Sequence, residues 1–195
     1  MHRKLPIVLV LGSLCSLGLA AISYHRSPPQ PAVESGEAKR DPLVAKFSDY
    51  RKWILVNPVP ELMELAAAID CVRIPGRDES SPHLNKYISV YVNETGRDAM
   101  MTQRTPRFPP GSLIVKEKLS SKTSTEPEIL TAMVKHEQGY NPESGDWEYL
   151  VLNGNASAIL EQGKLARCQS CHLAYRSSDF ITRTYLPREV RQRLR

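Results

Sequence analysis

The chain has 195 residues, 41% hydrophobic and 24% charged, a balance that suits one ordinary folded domain with a tail and excludes a largely disordered chain. Fifteen prolines against 10 glycines leave few uninterrupted stretches for long helices and count against a helix bundle. The net charge is +5, yet no dense Lys/Arg run with interleaved aromatics occurs before the C-terminal end, so no nucleic acid is expected as a partner.

In chain order, the basic start His2-Arg3-Lys4 precedes an apolar run from Leu5 to Ile22 with Gly18, Ala20 and Ala21 near its end. Residues 1–21 therefore read as an export signal or, if uncleaved, an N-terminal anchor. The run is short for a spanning helix, which prefers about 20 apolar residues. Cys15 does not read as a lipoprotein site, because bulky Leu14 stands where a small residue is usual. Residues 22–41, rich in proline and charge, form a flexible linker, and one domain occupies 42–195. A periplasmic or exported location is expected, possible anchoring by the N-terminal segment included.

Within that domain, Ser48 is placed to cap a short helix carrying Tyr50, Trp53 and Ile54. Pro60 to Asp70 reads as a helix: Pro60 suits the first turn, and Leu62, Leu65, Ala66 and Ile69 form one apolar stripe. Lys86 to Asn93 is a β-rich, aromatic strand. Asp98 to Gln103 forms a short helical turn, and the Phe108-Pro-Pro-Gly111 turn opens a second strand from Ser112 to Leu119. Thr131 to Glu137 and Trp147 to Asn153 flank the turn formers of Asn141 to Asp146, the pattern of a hairpin. Asn155 is placed to cap a helix that ends at Gly163. The fold class is α+β, an antiparallel β-sheet with flanking helices.

The four cysteines are Cys15, Cys71 and the pair in Cys168-Gln-Ser-Cys171, which His172 follows directly. This C-x-x-C-H run is the attachment sequence of c-type haem. Two cysteines three apart share one face of a helical turn, so both thiols can add to the haem vinyl groups. The adjacent histidine then offers its imidazole to iron as the proximal ligand. Two other chemistries remain open on these residues: a zinc site of Cys168, Cys171 and His172, for which only Cys71 is left as fourth ligand, and a redox dithiol. The five methionines are Met1, Met63, Met100, Met101 and Met133, and none follows His172. The arrangement usual in electron-transfer cytochromes c is thereby excluded, although an upstream methionine remains available. A haem attached near the C-terminus of a β-rich domain, with one open iron position, is the expectation.

These residues resemble the cytochrome P-460 domain family, relatives of which include the β-sheet cytochromes c′. The resemblance covers about Asp49 to Arg188 and rests on the order of Tyr50-Arg-Lys-Trp53, Ile88 to Asn93, Phe108 to Glu117, Met133-Val-Lys135, Gly145-Asp-Trp147, Cys168 to His172 and Asp179 to Tyr185. It implies a homodimeric β-sheet protein with one covalently attached haem c on Cys168 and Cys171, and His172 as the metal ligand. In hydroxylamine-oxidising members a lysine of the "V-K-E" strand is also bonded to the haem ring, and here the matching residue is Lys116, in Val115-Lys116-Glu117. The resemblance further implies that hydroxylamine is oxidised to nitrogen oxides, with electrons leaving to an external acceptor. Other relatives bind nitric oxide without turnover, and a plain electron carrier is the third function considered.

Strand alternation sets Ile114, Lys116 and Lys118 on one face and Leu113, Val115, Glu117 and Leu119 on the other. A face with two lysines reads as solvated, which argues against a special role for Lys116; Lys118 is the alternative cross-linking residue. No distal acid or base is assigned. Cys71 reads as a buried thiol, His83 and His136 as surface or loop histidines, and Trp53 and Trp147 as core aromatics. The arginines at 183, 188, 191, 193 and 195 form a solvated cluster that also suits haem propionates or an acidic partner.

Overall fold

Runs of β-branched and aromatic residues build one antiparallel sheet in the computed structural model, which describes residues 41–63 and 85–194. The expected signal, all of the linker before Asp41, Cys15, Cys71, His83 and residues 64–70 of the expected helix lie outside the described residues. Strands β3 (Tyr87–Val92), β4 (Leu113–Leu119), β5 (Ile129–Lys135), β6 (Trp147–Asn153) and β7 (Ile159–Gly163) follow one another as a meander. Two short strands, β1 (Ile54–Leu55) and β2 (Glu61–Leu62), pair with successive parts of the outer edge of β3. Between them the buried Asn57 side chain donates to the Ile88 carbonyl (2.7 Å) and accepts from the Val90 amide (2.8 Å), so an amide side chain stands in for strand backbone. The helices are α1 (Pro42–Ala45), α2 (Glu94–Met101), α3 (Ala166–His172) and α4 (Arg188–Arg193).

Both faces of the sheet are buried. Ile88, Val90, Val92, Ile114, Met133, Trp147 and Tyr149 pack on one side with Met100 of α2 and with Phe180, Ile181, Tyr185 and Leu186 from the C-terminal segment. Leu113, Val115, Leu130, Ala132, Val134, Leu150 and Leu152 pack on the other with Phe47 and Tyr50. The expected alternation in β4 therefore holds, but the lysine face is not solvated: Lys118 is only 1% exposed and Lys116 is half-buried. Glu117, on the opposite face, accepts from the Tyr50 hydroxyl (2.6 Å) and from Arg51 Nε (2.8 Å).

The strands from Lys86, Ser112 and Trp147 and the central hairpin form where expected. The expected helix beginning at Pro60 does not start there. Glu61 and Leu62 are strand β2, and the Met63 amide donates to the Lys86 carbonyl (2.9 Å), so pairing with the edge of β3 overrides the local helical pattern. The expected helix from Asn155 to Gly163 is instead a turn followed by strand β7. Asn153 Oδ1 accepts from the Ser157 and Ala158 amides (2.8 and 3.0 Å), turning the chain back so that β7 pairs with β6. At the start of the domain, Asp41 rather than Ser48 caps a helix: its side chain accepts from the Leu43 amide (2.7 Å). Tyr50–Lys52 is a 3-10 turn, and Ile54 belongs to β1. Helix α2 begins four residues before Asp98, because Asn93 caps it by accepting from the Gly96 amide (3.1 Å).

Candidate haem site

Sheet register brings two rows of side chains to one place. Val90, Lys116 and Thr131 are cross-strand partners, and so are Ile114, Met133 and Tyr149 in the neighbouring row. All six line a cavity of about 820 Å³, partly open to solvent, whose other lining includes Cys168, Cys171 and His172 of α3 and Ile181, Thr182 and Tyr185 after it. The four residues singled out by sequence (Lys116, Cys168, Cys171 and His172) are thus brought together, from strand and helix positions 52 or more residues apart. Lys118 is not among the described lining residues.

Helix α3 ends at the histidine and passes straight into a 3-10 segment, Leu173–Ser178, which closes on Asp179 in the left-handed region. That reversal returns the Phe180 carbonyl to the imidazole, and His172 Nδ1 lies 2.6 Å from it. A carbonyl only accepts, so Nδ1 carries the proton and the lone pair is left on Nε2, the tautomer that a metal-ligating histidine needs. Burial, with the nearby Lys116 charge as a second cause, holds the imidazole down to about 4, while the Phe180 bond opposes the shift. The ring is therefore neutral at physiological pH. Tyr149 packs beside it, ring centroids 5.3 Å apart. Burial pushes the Tyr149 phenol up to about 12, and its hydroxyl pairs with Ser144 Oγ at 2.7 Å.

The donor set fits a c-type haem. Two half-buried cysteines on one helical turn, a neutral histidine with Nε2 available and a largely apolar wall share one cavity. Zinc fits less well: among the described residues, no three His, Cys, Asp or Glu side chains are grouped to hold a metal ion. A thioredoxin-type dithiol would follow a strand of a parallel βαβ unit, whereas the strand before α3 is the antiparallel edge strand β7.

Several lining residues were not singled out by sequence. Tyr149 and Tyr185 enter through sheet alternation and the C-terminal return; Lys116 Nζ stands 5.0 Å from the Tyr185 ring centre. Met63, Met100 and Met133 all line the cavity, a convergence that order along the chain does not reveal. Arg167 also lines it and is ion-paired with Glu161, whose hydrogen bond raises the guanidinium pKa. His136 is elsewhere: Nε2 lies 2.7 Å from Glu148 and the ring stacks on Tyr140 at 4.0 Å. Arg183 is not part of a solvated cluster, because its guanidinium donates to the Gln103 and Arg104 carbonyls (2.6 and 3.0 Å) behind α2. Arg188, Arg191 and Arg193 are exposed on α4, and Trp147 is fully buried in the core.

No curated protein matches the chain. The Cytochrome P460 family model matches residues 48–183, which takes in the sheet, the C-x-x-C-H helix and all of the described cavity lining except Tyr185; the chain therefore belongs to the cytochrome P460 family, and membership implies a haem protein.

Proposed function

We propose that the chain is an exported c-type cytochrome that oxidises hydroxylamine to nitrogen oxides. Cys168 and Cys171 carry haem through thioether bonds, His172 ligates the iron, and Lys116 supplies a third link to the ring. One observation carries this reading: Lys116 lies in the same cavity as the C-x-x-C-H residues, half-buried and close enough for its charge to act on His172.

A haem held here supplies a redox-active iron that accepts electrons from a small nitrogen compound and passes them to an external acceptor. The protein's part is positioning. The central position of Lys116 on β4, hydrogen-bonded on both sides to β3 and β5, fixes its Cα and leaves only side-chain torsions free. Lys116 Nζ would hold the ring through an N–C bond formed in place of one lysine N–H and one ring C–H, a two-electron oxidation for which an oxidant of the peroxide class would take both hydrogens with their electrons. Apolar Val90, Ile114 and Ile181 limit water in the cavity. Tyr149, protonated at any working pH, keeps its hydroxyl on Ser144 and presents its ring to the histidine.

Peptide mapping of the holoprotein tests the reading. Haem is expected on the peptide with Cys168 and Cys171 and also on the peptide with Lys116, and Lys116→Leu should leave haem on the cysteine peptide alone. Acid–acetone should not extract the colour from the native protein. Expression without c-type maturation machinery should give little holoprotein. The homodimer is tested by sedimentation of the haem-loaded chain.

A second reading, nitric oxide binding without turnover, is favoured by the charges of the site. Among the described residues, the charged side chains of the lining are the bases Lys116 and Arg167, with no carboxylate to take protons from hydroxylamine. Haem confined to the cysteine peptide, no hydroxylamine-dependent reduction of an added acceptor, and a ferrous spectrum that changes on adding nitric oxide would together establish that reading instead.

A further inference from the structure

Two consecutive residues without a glycine's freedom, Asp179 (φ 53°) and Phe180 (φ 64°), occupy the left-handed backbone region. Aspartate tolerates it; for a bulky aromatic it is disfavoured and persists only when surroundings enforce it. The surroundings here are specific. The Asp179 carboxylate accepts from Lys135 Nζ at 2.8 and 2.9 Å and from the Phe108 amide at 2.8 Å. Its backbone carbonyl accepts from Trp147 Nε1 at 2.9 Å. Lys135 Nζ also donates to the Gly145 carbonyl at 2.8 Å and lies 5.1 Å from the centre of the Trp147 ring. Gly145 leaves room for the Phe180 ring, since a Cβ there would stand 2.6 Å from Phe180 Cδ2. Both charged side chains are nearly buried, 11% exposed for Lys135 and 7% for Asp179.

All of these contacts converge on a reversal that sets the Phe180 carbonyl against His172 Nδ1. A buried ion pair is a poor source of stability, because desolvation offsets most of its attraction. Its directional bonds, by contrast, fix the conformation of what they hold. We propose that the Lys135–Asp179 ion pair positions the iron ligand: it locks the Asp179–Phe180 reversal so that the Phe180 carbonyl draws on His172 Nδ1–H and makes the imidazole a stronger donor to iron. Lys135 and Asp179 are positioning residues, one on β5 and the other in the C-terminal segment, and neither is among the cavity-lining residues. The proposal rests on the reading that His172 ligates haem iron.

The test uses the full haem-loaded chain and reads the iron–histidine stretching band of the ferrous form by resonance Raman, together with the reduction potential. Loss of the band in His172→Gly identifies it. In Asp179→Asn, which keeps an acceptor for the Phe108 amide and tolerates the left-handed backbone, the band should move to lower wavenumber and the potential should rise. Lys135→Met should do the same. The double variant Lys135→Met/Asp179→Asn, which leaves no unpaired buried charge, should shift no further than the larger single shift. Lys135→Arg, which keeps the pair, should restore the native band. A band and potential unchanged in a folded double variant would overturn the proposal even if its melting temperature falls, because the pair would then serve stability alone. A native band that survives in His172→Gly would overturn the ligand reading, and the positioning role with it.

Discussion

Lys116 projects from the middle of β4 into the cavity that His172 enters from the end of α3, and burial together with that lysine's charge holds the imidazole down to about 4. In the haem-free chain, unfolding returns the imidazole to its ordinary value of 6.5, so between about pH 6.5 and 4 the unfolded state binds a proton that the folded state refuses. The stability contributed by neutral His172 is present above that window and is lost as pH falls through it. Urea unfolding should show this slope in the native sequence and a shallower one in His172→Phe; equal slopes would refute it. Lys116→Met should raise the His172 midpoint yet leave it below the ordinary value, since burial is the larger cause, and NMR titration reads this directly.

Gly145→Ala should destabilise the fold by about 1–3 kcal/mol. Alanine would meet the Phe180 ring at 2.6 Å and would also occupy φ 64°. The change in unfolding midpoint measures the cost, and a variant as stable as the native chain would contradict the packing described.

Glu117→Leu should cost about 1–3 kcal/mol, because the buried Tyr50 hydroxyl loses its acceptor while the half-exposed Arg51 stays solvated. The carboxylate lies on the sheet face away from the cavity, so the haem absorption spectrum should not change. A spectral shift in a folded Glu117→Leu protein would show that the two faces are coupled.

The ferric protein should be high-spin with one open iron position. Met63, Met100 and Met133 nevertheless bring three thioethers to the cavity wall. Replacing each by leucine, a swap that usually costs under about 1.5 kcal/mol, should leave the spin state unchanged. A low-spin signal lost in one of the three variants would identify a thioether ligand and make the protein an electron carrier.

The central strands were legible because their signals are local. Tyr87–Val92 and Leu113–Leu119 carry β-branched and aromatic residues, and the hairpin is marked by its turn formers at Asn141–Asp146. Helix α3 was legible only through its chemistry, as the C-x-x-C-H spacing. Glu61–Leu62 and Ile159–Gly163 carry local helical patterns, but the deciding bonds come from elsewhere: the outer edge of β3, and a turn held by the Asn153 side chain. The site divides in the same way. Cys168, Cys171 and His172 announce themselves, whereas Tyr149 and the three methionines become neighbours only through cross-strand register and the C-terminal return. Lys116 was misplaced on a solvated face because alternation tells which residues share a face, not what covers it.

Lys116, Glu117 and Lys118 form a +/−/+ sequence along a strand buried on both sides. A slip of one residue would turn the carboxylate to the cavity face and set a lysine in its place against Tyr50 and Arg51. The Tyr50 hydroxyl and Arg51 would lose the carboxylate that accepts from them, whereas an all-apolar strand would accept either alignment. The charge order thus sets the native alignment of the meander apart from its one-residue neighbours.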